Sequence, residues 1–157
     1  MFIRDAHQGD AEDIFNLIKK KAEFDRSLGD SLGNVTTNVE LIKKTMFGVN
    51  RFAWAIVAVN SQDKPIGIAL CHTRYSSFSG LPSIWLDDLF IFESFRGSGL
   101  GKDLMEKLIE IAKSMNASHI DWVASNFNEK AKSFYSKLGG IVVGMEGSTL
   151  SYRLRLN

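Results

Sequence analysis

The stretch Arg96-Gly97-Ser98-Gly99-Leu100-Gly101 decides the fold of this chain because of the two segments that flank it. The preceding segment, residues 84–92, is apolar and has the composition of a buried strand. The following segment carries Leu104, Leu108 and further apolar residues at helical spacing. A strand, a glycine-rich turn and a helix in this order present unpaired backbone N–H groups to an anion, and glycine lets the ligand approach the backbone closely. The stretch therefore predicts a phosphate-binding turn.

Two common phosphate-binding motifs do not fit this turn. A Walker A loop requires a glycine where Arg96 stands and a hydroxyl residue where Asp103 stands. A dinucleotide-binding turn requires a third glycine where Lys102 stands. The pattern that remains is Arg-x-x-Gly-x-Gly, which describes a pyrophosphate cradle with an arginine at its mouth.

A second motif begins at Asn128 and continues through Ala131, Phe134-Tyr135 and Gly139. It matches the pattern Asn-x-x-Ala-x-x-Phe-Tyr-x-x-x-Gly. Together, the two motifs resemble those of the GNAT family of N-acetyltransferases, and the resemblance spans roughly residues 2–143. Within that family, the chain looks similar to the diamine branch, which contains spermidine/spermine-like acetyltransferases.

Hydropathy and turn residues predict a mixed α/β fold that spans residues 1–157 as a single domain. The predicted order is β-α-α-β-β-β-α-β-α-β-β, which is also the order that the resemblance implies. The predicted strands are 2–4, 52–59, 66–75, 83–92, 119–124, 141–145 and 149–154. Residues 10–13 are predicted to cap a first helix, and the other predicted helices are 38–47, 100–115 and 128–138. The resemblance further implies that the central strands splay apart.

The composition is that of an ordinary globular protein, with 45% hydrophobic and 24% charged residues. A net charge of +1 gives no reason to expect a nucleic-acid or membrane partner. The single cysteine, Cys71, cannot form an internal disulfide, which suits a cytoplasmic protein. The histidines at 7, 72 and 119 lie on separate predicted elements without ligand spacing, so we expect no metal site.

Acetyl transfer to an amine requires a group that takes up a proton. An alkylammonium ion has a pKa near 10.4, so that about one molecule in 2,500 is a free amine at pH 7, a penalty of roughly 4.6 kcal/mol. Asp87 and Asp88 are the only carboxylates in the apolar strand 83–92, and strict alternation would let only one of them face the cleft. The resemblance gives Asp87 the position of a glutamate that serves the amine. A strand-end aspartate paired with a surface lysine is the alternative.

The departing thiolate of coenzyme A needs a proton, and Tyr135 is the predicted donor. A phenol has an ordinary pKa of about 10 and can protonate a thiolate whose pKa is about 8.5. Tyr135 also holds the position where the resembling family commonly keeps its general acid. The alternative is that its ring anchors the helix to the sheet.

The resemblance implies acetyl-coenzyme A as acetyl donor. The backbone N–H groups of Leu89 and Ile91 would line its thioester if the strand leaves its neighbour after Asp88. The predicted contacts with the cofactor are Leu89, Phe90, Ile91, Arg96, Gly97, Ser98, Gly99, Leu100, Gly101, Lys102, Asn128 and Ala131.

The predicted amine pocket combines aromatic rings with carboxylates, which together suit a cation. Its candidate residues are Phe24, Asp25, Tyr75, Phe78, Asp87 and Asp88. The branch that the chain resembles carries an acid and a tryptophan where Ser76 and Phe78 stand, so we expect a small amine or a diamine-like amino acid rather than a long polyamine. A solvated helix end remains the alternative for Asp25, and the basic cluster Lys19-Lys20-Lys21 is interpreted in the same way.

These observations predict an N-acetyltransferase that acts on a small-molecule primary amine and, by resemblance, forms a homodimer. Two alternatives stay open. One is an acetyltransferase of proteins or peptides, which would have an open groove. The other is a non-catalytic acyl-coenzyme A-binding module, which would not need Asp87 and Tyr135.

Overall fold

A computed structural model, which describes residues 1–30 and 33–156, contains seven strands in one sheet with the order β1-β2-β3-β4-β5-β7-β6. The strands are β1 (Phe2–Asp5), β2 (Trp54–Val59), β3 (Pro65–Tyr75), β4 (Pro82–Ile91), β5 (His119–Ser125), β6 (Ile141–Glu146) and β7 (Thr149–Arg155). The helices are α1 (Ala11–Ser27), α2 (Val39–Ile42), α3 (Leu100–Ser114) and α4 (Glu129–Lys137). The predicted class and element order are therefore confirmed.

Two local predictions need correction. The helix predicted over 38–47 is a single α-helical turn, α2, followed by a π-helical turn over Lys43–Phe47. Asp10 precedes α1 but its side chain does not cap it. The carboxylate instead accepts the backbone N–H of His7 at 2.9 Å and pairs with both terminal nitrogens of Arg4 at 2.8 and 3.0 Å. Asp10 thus ties the start of α1 to strand β1.

The sheet separates two apolar cores. Helices α1 and α2 cover one face, where Val57, Ile68 and Phe90 are buried against Ile14 and Leu17. The helices α3 and α4 lie on the opposite face, and the residues predicted to form the buried side of α3 are buried there: Leu100, Leu104, Leu108 and Ala112. Burial of these apolar side chains on both faces fixes the positions of the helix ends around the sheet.

Strands β4 and β5 separate in the middle of the sheet. They run parallel and pair only through Ile84 with Ile120 and Trp85 with Asp121. Beyond Trp85, β4 stays paired with β3 while β5 pairs with β7. The predicted splay is therefore confirmed, and it begins before Asp88 rather than after it. The resulting gap opens between the two cores.

None of the helices within residues 1–30 and 33–156 combines the length and the apolar composition that crossing a bilayer requires.

Candidate active site

The turn before α3 has the geometry of an anion cradle. Gly97 and Gly99 adopt φ values of +77° and +90°, which side chains other than glycine rarely tolerate. A Cβ on either glycine would meet no atom of the described residues within 4 Å, so that this side of the turn is open. Among the described residues, no side chain caps the first turn of α3. Its N–H groups are therefore available to the phosphates of a ligand.

Arg96, which was predicted to contact the phosphates, lies with its side chain folded back against the protein. Its Nε donates to the backbone oxygen of Ile91 at 2.9 Å. Its guanidinium carbon lies 4.7 Å from the ring centre of Phe24 and 5.1 Å from that of Phe90. Arg96 thus links the turn to α1, and Phe24 uses one ring face for a cation of the protein itself.

The open edge of β4 presents backbone groups to the gap. Phe92 donates its N–H to Ile66 of β3 at 3.0 Å. Because backbone groups alternate along a strand, the N–H of Phe90 also points to β3, whereas those of Leu89 and Ile91 point away from it. Since β5 has already diverged, these two N–H groups face the gap. Phe90 instead contributes its buried ring to the core beneath α1.

Both adjacent aspartates of β4 lie on the same face of the sheet. The β3–β4 register pairs Leu70 with Asp88 and Cys71 with Leu86, which leaves Asp87 as the extra residue of a β-bulge. Leu86 and Leu89 consequently pack on the same core although they are three positions apart. The prediction that only one of the two aspartates can face the cleft is therefore wrong.

The two carboxylates differ in their surroundings. Asp87 is exposed and accepts a 3.1 Å hydrogen bond from Nε1 of Trp85. Asp88 lies deeper beside α1, and burial raises its pKa, with Lys21 acting to lower it and Asp87 acting to raise it. A carboxyl group whose pKa is raised binds a proton more readily than an ordinary aspartate.

Lys21 holds the acidic residues of the pocket together. Its Nζ lies 2.7 Å from Asp25 and 3.3 Å from Asp88, and all three side chains are at most one quarter exposed. Burial acts to lower the pKa of Lys21, but Asp88 and Asp25 outweigh it, so that its pKa lies above the ordinary value. The interpretation of Lys21 as part of a solvated helix end is wrong. The spacing of four residues between Lys21 and Asp25 was a sequence signal for their ion pair, but no local pattern indicates the pair of Lys21 with Asp88.

Tyr135 lies in α4 within an aromatic cluster. Its ring centre is 5.0 Å from that of Trp122 and 5.2 Å from that of Tyr152. Burial, together with Tyr152 and Asp25, raises the pKa of its hydroxyl group above the ordinary value. The phenol therefore stays protonated throughout the neutral range. Tyr135 can therefore pack its ring against the sheet and still keep a proton on its hydroxyl group.

The remaining residues of the second motif build the start of α4. Asn128 accepts the N–H of Ala131 at 3.1 Å, which caps the helix. A Cβ on Gly101 would lie 3.5 Å from the ring of Phe134, so that α4 packs beside the first turn of α3. The two motifs, which are separated in the sequence, thus adjoin one another in the fold.

Tyr75 and Phe78 do not join the other candidates. Tyr75 pairs with Pro82 near the tip of the β3–β4 hairpin, and both aromatic side chains are at least three quarters exposed. Five strand positions separate Pro82 from Asp87, which corresponds to about 16 Å. Within the described residues, the structure therefore brings Asp25 and Asp88 together through Lys21, with Phe24 and Asp87 as their chain neighbours, and leaves Tyr75 and Phe78 apart.

Comparisons with known proteins agree with this geometry. The model of the acetyltransferase (GNAT) family matches residues 32–140. The chain is 28% identical over 158 residues to the thialysine N-epsilon-acetyltransferase of Mus musculus, covering 96% of this chain and 90% of that protein. It is 27% identical over 150 residues to the spermidine/spermine N(1)-acetyltransferase-like protein 1 of Homo sapiens, covering 92% of this chain and 21% of that protein. The crystal structure of a mutant protein from Bacillus halodurans has the same fold, with a TM-score of 0.80, 24% identity and coverage of 94% and 97%.

Proposed function

Because the chain belongs to the acetyltransferase (GNAT) family, we propose that it transfers the acetyl group of acetyl-coenzyme A directly to a primary amine of a small molecule. The observation that carries this proposal is the β-bulge, which gives Asp87 and Asp88 the same face of the sheet beside the open edge of β4. Similarity to enzymes named for thialysine and for spermidine/spermine supports a small amine as acceptor.

The donor end of the site consists mainly of backbone. Acetyl-coenzyme A supplies the activated acetyl group, and its diphosphate would lie against Gly97, Gly99 and the uncapped first turn of α3. The N–H groups of Leu89 and Ile91 would polarise the acetyl oxygen. Since hydrogen bonds within the sheet fix these N–H groups before the donor binds, no reorganisation is needed.

The acceptor end supplies proton transfer. Asp87 would take a proton from the incoming ammonium group, directly or through a water molecule. Trp85 holds one oxygen of this carboxylate by its Nε1, which leaves the other oxygen for the substrate. Tyr135 would return a proton to the departing sulfur. Its raised pKa keeps this proton available at neutral pH, although it also makes the phenol a weaker acid than an ordinary tyrosine.

We further propose a homodimeric, cytoplasmic enzyme. Strand β6 supports a second copy of the chain because, within the part of the chain that the structure describes, it pairs with β7 alone and exposes Ile141, Val142, Val143 and Met145. The buried free thiol of Cys71 supports a reducing compartment.

Release of coenzyme A from acetyl-coenzyme A, measured with a panel of small amines and peptides, tests the proposed function. We expect turnover of at least one small primary amine at millimolar concentration. Efficient acetylation of peptides without turnover of any small amine would favour the protein-directed alternative. Binding of acetyl-coenzyme A without any acceptor would favour the non-catalytic module.

A further inference from the structure

Cationic side chains of the protein already contact the groups that could receive the second ammonium of a diamine. A diamine presents two ammonium groups, one that reacts and one that needs a carboxylate partner at a distance. Asp88 adjoins Asp87 in β4 and would provide such a partner together with Asp25, but Lys21 already contacts Asp25 at 2.7 Å and Asp88 at 3.3 Å. The second carboxylate subsite is thus filled by the protein.

One face of the Phe24 ring is occupied in the same way. The guanidinium group of Arg96 lies 4.7 Å from the ring centre of Phe24, on the ring that would otherwise receive a substrate cation. Arg96 is held there by its hydrogen bond to Ile91. Both features that suggested a receptor for a distal cation, the carboxylate and the ring, therefore face cationic side chains of the chain itself.

Asp87 is the exception. Within residues 1–30 and 33–156, it has no cationic side chain in salt-bridge contact, and its only side-chain hydrogen bond comes from the neutral indole of Trp85. The site therefore offers one carboxylate without a cationic partner for one ammonium group, next to a subsite in which Lys21 already contacts both carboxyl groups.

From this arrangement we infer that Lys21 is a specificity-determining residue, an internal cation that excludes a second substrate ammonium from Asp25 and Asp88. The inference rests on the proposed function and narrows its substrate class. The preferred acceptor carries a single ammonium group, the one that reacts, at this end of the molecule. A diamine can place its second ammonium in the subsite only by displacing Lys21 or by approaching it, and like charges at this separation repel strongly in a partly buried site.

Replacement of Lys21 by leucine should convert the subsite into a receptor for a second cation. Leucine retains the helical preference and most of the apolar stem, and it leaves Asp25 and Asp88 without a counter-ion. The matched control is Lys20→Leu on the same helix, because among the described residues Lys20 pairs with the exposed Glu23 alone, at 3.0 Å. Lys21→Gln provides a polar variant if the leucine variant does not fold.

The experiment compares butylamine with 1,4-diaminobutane, which have the same chain length and differ by one ammonium group. We expect the ratio of kcat/KM for the diamine to kcat/KM for the monoamine to rise at least tenfold in Lys21→Leu and in Lys21→Gln, and to stay unchanged in Lys20→Leu. An unchanged ratio in a folded Lys21 variant would overturn the inference. So would a wild-type enzyme that already prefers the diamine tenfold.

A binding measurement separates failure of this inference from failure of the proposed function. Calorimetric titration of 1,4-diaminobutane into protein saturated with coenzyme A reports on the subsite without turnover. If neither amine is acetylated by any variant, the proposed function fails, and tighter diamine binding by Lys21→Leu than by the wild type still supports the exclusion by Lys21. Equal diamine binding by both proteins would contradict it.

Discussion

The indole Nε1 of Trp85 donates a hydrogen bond to Oδ1 of Asp87, with 3.1 Å between the two atoms. This contact requires both side chains on one face of β4, and the β-bulge at Asp87 then places Asp88 on that face as well. The bulge therefore gives the site two adjacent carboxylates with different roles. Asp88 is paired with Lys21, whereas one oxygen of Asp87 accepts no hydrogen bond from the described residues.

The cofactor turn is tested by Gly99→Val. A branched side chain at this open position would occupy the space proposed for the diphosphate, so the affinity for acetyl-coenzyme A should fall at least tenfold. Isothermal titration calorimetry measures this affinity. Because valine at a φ of +90° is strained wherever it occurs, Gly80→Val, at a φ of +66° in the β3–β4 hairpin, controls for strain. Equal affinity in a folded Gly99→Val protein would contradict the assignment of the turn.

The proton donor is tested by Tyr135→Phe. Phenylalanine retains the ring contacts with Trp122 and Tyr152 and removes only the hydroxyl group. The thermal stability should therefore change little, while kcat should fall by about 10–1000-fold. Steady-state kinetics together with thermal unfolding separate the two roles of the residue. An unchanged kcat over the whole pH range would leave Tyr135 with a packing role alone.

The proposed dimer is tested by Val143→Lys in strand β6. Val143 is 48% exposed on an edge strand whose outer side has no partner among the described residues, so a charge there should weaken association of two copies. Sedimentation velocity should detect a shift from dimer to monomer. The control is Val49→Lys, at a position that is 97% exposed and distant in sequence from β6, and it should not alter the oligomeric state. A monomeric wild-type protein at tens of micromolar would contradict the proposal.

The ion pair at the start of α1 predicts a pH-dependent contribution to stability. Burial acts to raise the pKa of Asp10, but hydrogen bonds from Arg4 and from the His7 N–H outweigh it and hold the pKa below the ordinary value. Since the pKa is lower in the folded state, this stabilisation is fully present above the unfolded pKa of about 3.9 and is lost as the pH falls through the folded pKa.

Urea unfolding of Asp10→Asn measures this contribution. We expect the free energy of unfolding to decrease by about 2 kcal/mol at pH 7. The difference between the variant and the wild type should shrink as the pH falls through the folded pKa of Asp10 and its carboxylate becomes protonated. Asp5→Asn serves as the control, because Arg4 contacts only the backbone oxygen of this exposed residue. A difference that is the same at acidic and neutral pH would show that another interaction is responsible.

Much of the donor end could be predicted from sequence because it depends on local backbone requirements. Glycines at 97 and 99 adopt the positive φ values that only glycine accepts easily, and Asn128 caps α4 at the start of the second motif. Such features are encoded within a few neighbouring residues. The apolar face of α3 was predictable for the same reason, since helical periodicity determines it.

The acceptor end could not be predicted in the same way because it depends on contacts between distant segments. Strand alternation placed Asp87 and Asp88 on opposite faces, and no residue in β4 itself signals the bulge, which is defined by its register with β3. Lys21 looked like a solvated lysine because its contact with Asp88 joins α1 to β4. The contact of Arg96 with Phe24 likewise joins two distant segments, the turn before α3 and helix α1. The direction in which the Arg96 side chain points could therefore not be predicted from the sequence.

Asp87 is proposed to accept the proton of a small cationic amine, and the pH dependence of Asp87→Asn distinguishes a base from a residue that only binds the amine. Asparagine retains an oxygen for the hydrogen bond from Trp85 and cannot act as a base. The measurement is kcat/KM for the best small amine found with the wild type, taken from neutral pH towards the amine's own pKa of about 10.4. We predict a loss that is greatest at neutral pH, where free amine is scarce, and that recovers in part as the pH rises. A wild-type rate at neutral pH, or a loss that is the same at every pH, would show that Asp87 is not the base.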